Sequence, residues 1–234
     1  MNLYISPRKV IKILVLIILA LTSISLVGQL YKYLAFDGKE RYIIKLFFLD
    51  AEFNFPTWYA AISLLICSLF TGLLYFLKKS ENDPFKFNWL GLSIIFFIMA
   101  TDEILVLHEQ MISPLRNVLN TGGFLHMAWI IPAILFGIIF IIAYYKFLAS
   151  LPVQTRNQFI TAGIIFVVGA VGIEAVGGKF LSEYGQNNLV YSLITQFEEL
   201  LEMIGIMMFI YAILLYYNSY YPAITITIKR KETK

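Results

Sequence analysis

The chain has 234 residues, 59% hydrophobic and only 14% charged, with a mean hydropathy of +0.76 and a net charge of +3. A soluble domain is close to half apolar and about a quarter charged, so the apolar excess here requires lipid as its solvent. No basic block suggests nucleic acid, and the succession of apolar runs leaves no room for a separate soluble domain.

A hydrocarbon core is crossed by about 20 mostly apolar residues. The first such run is Val10–Leu30, with Arg8, Lys9 and Lys12 at its start. It is long enough to span and no small-x-small cleavage site follows, so an uncleaved helix is expected rather than a signal peptide. A long loop, 31–57, comes next; its apolar segment Tyr42–Phe48 is too short to span and is expected along the interface. The second run, Trp58–Leu77, carries Cys67, the only cysteine, which has no intrachain disulfide partner and reads as a buried small hydrophobe. Trp89–Leu107 and Phe124–Tyr145 follow, the latter kinked at Pro132, then Phe159–Val176 and Leu189–Tyr217. The tail 222–234 reads as a short extension. The expected fold is all-α: one membrane domain, 1–234, with six transmembrane helices. Trp58, Trp89, Trp129, Tyr144, Tyr145, Tyr216 and Tyr217 fall near helix ends, where amphipathic rings favour the membrane interface.

Basic residues set the orientation. Twelve of the eighteen flank helix 1, the 2–3 and 4–5 loops and the C-terminus, on one side of the membrane. That side is cytoplasmic by the positive-inside rule, which places both termini in the cytoplasm.

Ionisable groups at membrane depth are costly and mark functional sites. Helix 3 carries Thr101, Asp102, Glu103, His108, Glu109 and Gln110; on one continuous helix Asp102 and Glu109, seven apart, share a face. His126 opens helix 4. In helix 5 Gly163, Ala170, Glu174 and Gly177 recur at helical spacing, as a packed face does. In helix 6 Thr195, Glu198, Glu199 and Glu202 fall within an arc of about 100°. At 1.5 Å per residue, Asp102 lies about 20 Å above the cytoplasmic edge and Glu198 and Glu202 about 13–20 Å below the outer one. The acids and histidines thus gather in the outer half of the membrane.

That many carboxylates cannot all stay ionised in a low dielectric, so protons or a cation must compensate them. Asp102, Glu109, Glu174, Glu198, Glu202, His108 and His126 supply the ligand types of a di-iron or di-manganese carboxylate site, without its paired Glu-x-x-His motifs. A zinc on both histidines and one carboxylate, with a position open for water, uses the same residues. Glu103 and Glu199 are the candidate general bases. Asp50, Glu52 and Asn54 alternate like the oxygen ligands of a calcium loop, but lack its glycine and distal glutamate.

The strings LDAEFNFPTWYA (Leu49–Ala60), TDEILVLHEQ (Thr101–Gln110) and EELLEMIG (Glu198–Gly205) resemble the signatures of an uncharacterised group of small bacterial multipass proteins. That resemblance implies the bacterial inner membrane and no activity. Asp50, Glu52 and Asn54 also look like the acidic calcium motif of alkaline ceramidases, multipass enzymes whose zinc is held by three histidines. This chain has two histidines and six expected helices rather than seven.

Three functions fit these residues: a metal-dependent hydrolase or oxidase acting on a membrane lipid or other amphiphile, a proton- or cation-coupled transporter, and a non-catalytic subunit of a membrane complex or homo-oligomer. The inner halves of the helices are nearly all apolar, which favours a pocket closed from below over a conduit.

Overall fold

The computed structural model describes residues 6–35 and 42–221. The tail 222–234 and loop residues 36–41, with Asp37, Lys39, Glu40 and Arg41, lie outside the described residues. Helix α1 spans Pro7–Ala35, α2 Tyr42–Lys45, α3 Phe55–Ser80, α4 Lys86–Leu105, α5 Leu107–Leu119, α6 Ile130–Ser150, α7 Val153–Tyr184 and α8 Leu189–Tyr220. No strand occurs among the described residues. Six of these helices, all but α2 and α5, are long and apolar enough to cross a membrane, at the six expected places.

Local chemistry sets the helix starts. Asn54 caps α3: its side-chain oxygen accepts from Thr57 N at 3.0 Å, and Pro56 sits in the first turn, where no N–H is needed. Asn188 caps α8 through Val190 N at 2.8 Å.

The third expected helix is broken. Val106 takes the left-handed conformation, φ 53° and ψ 43°, so α4 ends at Leu105 and α5 starts at Leu107. A β-branched residue in that region costs about 1–2 kcal/mol. The shared face of Asp102 and Glu109 therefore does not exist, because the two lie on different helices. Helix α5 is amphipathic and has no buried residue.

Helix α7 is expected to present Gly163, Ala170, Glu174 and Gly177 together, and the structure corrects this. A π-helical stretch, Val168–Ile173, widens one turn and shifts the face before Glu174. Ala170, Glu174 and Gly177 are buried, but Gly163 faces outward and Gly169 takes its place against α8.

Two further interface expectations change. Phe48 and Leu49 turn in and are buried, so within the segment 42–48 only Tyr42, Ile43 and Lys45 stay exposed. Trp89, Tyr144, Tyr216 and Tyr217 are buried in an aromatic cluster with Phe147 and Phe159, because helix ends at the basic side converge instead of splaying. Trp89 meets Phe147 edge-on at 5.0 Å.

Close packing comes from small residues. Ser68 Oγ donates to Ser93 O at 2.8 Å and Ser93 Oγ returns a bond to Ser68 O at 2.8 Å, joining α3 to α4. A Cβ at Gly205 of α8 would lie 2.8 Å from Phe166 Cβ, 2.9 Å from Phe166 N and 3.0 Å from Ala162 O. Gly205→Ala is therefore expected to push α7 off α8, at about 1–3 kcal/mol for overpacking, and to lower the melting temperature in detergent. Gly72→Ala, whose added carbon is crowded at 3.0 Å only by the Ser93 hydroxyl, is the milder control. Equal melting temperatures for the two variants would contradict this packing.

Candidate functional site

One cavity, of ≈ 240 Å³, gathers most of the candidate residues. Nine carboxylates line it: Asp50, Glu52, Asp102, Glu103, Glu109, Glu174, Glu198, Glu199 and Glu202. Among the described residues, His108 is the only histidine that lines it, and no lysine or arginine does. Leu64, Met99 and Phe166 are its apolar residues toward the cluster of Leu64, Cys67, Ala100, Ile206, Ile210 and Leu214, beyond which lies the aromatic cluster around Trp89. On the other side it adjoins a wider vestibule that shares Asp50, Glu52, Glu109, Gln186 and Tyr191 and adds Lys32 and Lys45.

Each helix contributes for a local reason. Glu198, Glu199 and Glu202 reach the cavity from the single arc expected of α8, with Thr195 one turn earlier. Glu174 arrives just after the π-helical stretch, 7% exposed, and its carboxyl lies in hydrogen-bonding reach of Glu198, itself 9% exposed. Two carboxyls in contact in a buried place have to share a proton or a cation. Glu199 feels Glu202, Glu103, Glu52 and Asp50, and Glu202 feels Glu198 and Glu174 as well, so the acids form one continuous field.

Asp102 and His108 form a pair. Asp102 Oδ1 accepts from His108 N at 2.9 Å and Oδ2 lies 2.7 Å from His108 Nδ1. The Trp129 ring packs against the imidazole, centroids 4.9 Å apart. Burial alone would lower the His108 pKa, but the hydrogen bond and charge of Asp102, with Glu174 and Glu109 behind it, push it up to about 9. Burial and then the charge of Glu109 push Glu52 up to about 7, against the pull of His108.

Two expected residues are not part of the cavity. His126 does not line it: burial and Arg116 hold its pKa below the usual range, and its carbonyl accepts from Arg116 Nε at 2.9 Å. Asn54 does not line it either. Its oxygen caps α3 and its Nδ2 donates to Phe48 O at 2.6 Å, so the alternating calcium triplet reduces to Asp50 and Glu52.

Helix α1 contributes what the sequence reading missed. Gln29 Nε2, on a fully buried residue, donates to Asp50 Oδ1 at 2.7 Å, and Ser25 Oγ accepts from Leu49 N at 3.0 Å while donating to Gln196 Oε1 at 3.1 Å. Ser25 and Gln29, four apart on one face of a mostly apolar helix, were the available signal.

The carboxylates and His108 are oxygen and nitrogen donors suited to a divalent cation. Among the described residues no three His, Cys, Asp or Glu side chains converge closely enough to form a ready-made metal centre.

A family model described as a domain of unknown function (DUF8692) matches residues 10–216. No curated protein and no solved structure matches the chain, alkaline ceramidases included.

Proposed function

The chain belongs to the family of that domain of unknown function (DUF8692), which brings no activity with it, and from its own residues we propose an outward-facing, membrane-embedded site. This site binds a divalent cation, zinc, iron or manganese, and acts on a lipid or another amphiphile at the bacterial inner membrane. The observation that carries this reading is the cavity wall, which among the described residues has nine carboxylates and one histidine and no lysine or arginine. Such a wall is compensated by protons or by a cation.

Glu109, Glu174, Glu198, Glu202 and His108 are the ligand set, drawn inward by rotation of flexible glutamate side chains around the cation. A bound cation supplies Lewis acidity to water or to an ester oxygen. Glu103 and Glu199 remain to accept a proton, and Asp50 and Glu52 stand at the vestibule, where calcium is the second cation expected.

Two features support an enzyme over a conduit and a lipid over a soluble substrate. Apolar and aromatic clusters block the path from the cavity to the basic side. Helix α6 has buried residues only at its ends, Ile130 at one and Tyr144 and Phe147 at the other, and a Cβ at Gly137 would meet no atom within 4 Å. The middle of α6 is therefore left uncovered by the other described residues, as a lipid-facing surface would be.

The test of the cation claim is thermal unfolding of detergent-purified, chelator-stripped protein titrated with zinc, manganese, calcium and magnesium. At a hundred-fold excess over Kd a bound cation contributes about 2.7 kcal/mol, so the melting temperature is expected to rise with zinc or manganese, and not in a Glu202→Gln variant. An unchanged melting temperature with every cation would contradict the reading. Orientation has its own test, because Cys67 is fully buried and gives little background. Val118→Cys on α5, 82% exposed, is expected to react with a membrane-impermeant maleimide on intact cells, and Lys79→Cys only after lysis. The reverse pattern would invert the topology.

A further inference from the structure

We infer that Asp102 is a positioning residue rather than a metal ligand, and that it holds His108 so that Nε2 is the nitrogen offered to the cavity. On an uninterrupted helix, residues six apart point about 120° away from each other, so Asp102 could not reach His108. The left-handed turn at Val106 reverses this: Val106 N bonds back to Asp102 O, and α5 begins one residue later. The same carboxylate then caps α5 by accepting from His108 N at 2.9 Å and meets His108 Nδ1 at 2.7 Å.

Both Asp102 oxygens are thus engaged by one residue. With Nδ1–H directed at Asp102, the ring keeps Nε2 for the cavity, and Trp129 at 4.9 Å packs the ring in place. A carboxylate that orients a histidine from behind fixes its tautomer and raises its basicity, whether the other nitrogen takes a metal or a proton. Val106 is 7% exposed, and a buried left-handed valine persists only where its surroundings enforce it. The Asp102 grip on His108 is that enforcement.

This assignment rests on the proposed function only in taking the cavity as the working site, and its test separates the two. His126, outside the cavity, is replaced in a His126→Gln background so that one histidine remains. Protein labelled with 15N-histidine is then studied by solid-state NMR in bilayers, cation-free, at a pH where the ring is neutral. The expected spectrum has the proton on Nδ1. In Asp102→Asn the amide oxygen can still accept from His108 N while its NH2 faces Nδ1, so the proton is expected to move to Nε2, and zinc affinity to fall 10–100-fold. Asp102→Glu, which keeps the charge, is expected to retain the Nδ1 proton.

A proton on Nε2 in the His126→Gln protein overturns the assignment, and that reading holds even if Asp102→Asn fails to fold. Unchanged tautomer and zinc affinity in a folded Asp102→Asn protein overturn it as well. A spectrum as expected from protein that binds no zinc leaves the positioning role standing and removes the cation reading.

Discussion

Replacing Glu174 and Glu198 together by leucine is expected to make the cation-free protein more stable while abolishing its stabilisation by zinc or manganese. The two carboxyls lie against each other, 7% and 9% exposed, between the π-helical stretch of α7 and α8. Among the described residues of the cavity wall only His108 offers a compensating positive charge. Replacing buried polar or ionic groups by apolar ones of similar volume is often neutral or stabilising, by about 1–4 kcal/mol, whereas removing one partner leaves the other stranded. The double variant is therefore expected to melt above wild type without cation and below it with saturating zinc. The single variant Glu174→Leu is expected to gain less. If the double variant melts lower than wild type under both conditions, the pair is a structural element and the site reading loses its main support. Stability held back at a working site is a familiar trade.

The second large effect is pH dependence centred on Asp102 and His108. The histidine's pKa is raised from 6.5 to about 9 in the folded chain. A raised pKa means that the folded state holds the proton more tightly, so the stabilisation is complete below pH 6.5 and is lost as pH rises through about 9. That rise corresponds to about 3 kcal/mol as an upper figure. Glu52, raised from 4.5 to about 7, loses its own contribution between those two values as pH increases. Melting temperature is thus expected to fall from pH 5 to pH 9.5, with the step above pH 6.5 absent in His108→Gln and the lower step absent in Glu52→Gln. A flat profile in wild type, or a step that survives His108→Gln, would contradict the pairing. The same proton competes with a cation at His108, so zinc is expected to bind more tightly as pH rises toward 9.

How much of this was legible in the chain depends on the range of the interactions. The six spans were readable because lipid solvation imposes a length and a composition on each segment independently. The arc of Thr195, Glu198, Glu199 and Glu202 was readable for a related reason: α8 is one uninterrupted helix, and periodicity alone puts them on a common face. Where the helix is interrupted, periodicity misled. Val106 looks like an ordinary helical valine, yet it ends α4; the π-helical turn at Val168–Ile173 moved Gly163 out of the packed face and Gly169 into it. Neither irregularity has a proline to announce it. The placement of His126 away from the cavity was also hidden, because it depends on a contact with Arg116, whereas Asn54 just before Pro56 carries the local signature of the helix cap it forms with Thr57. Trp89 and Tyr216 show the limit of the interface rule: aromatic residues at helix ends face headgroups only if the helices do not converge on them.

The central claim is that the acidic cavity holds a divalent cation, and metal content tests it most directly. Protein purified in detergent without chelator would be measured by elemental mass spectrometry beside a Glu198→Gln/Glu202→Gln variant. One or two equivalents of zinc, iron or manganese in wild type, absent from the variant, is the expected result. A wild type free of these metals, or a variant that keeps them, would contradict it.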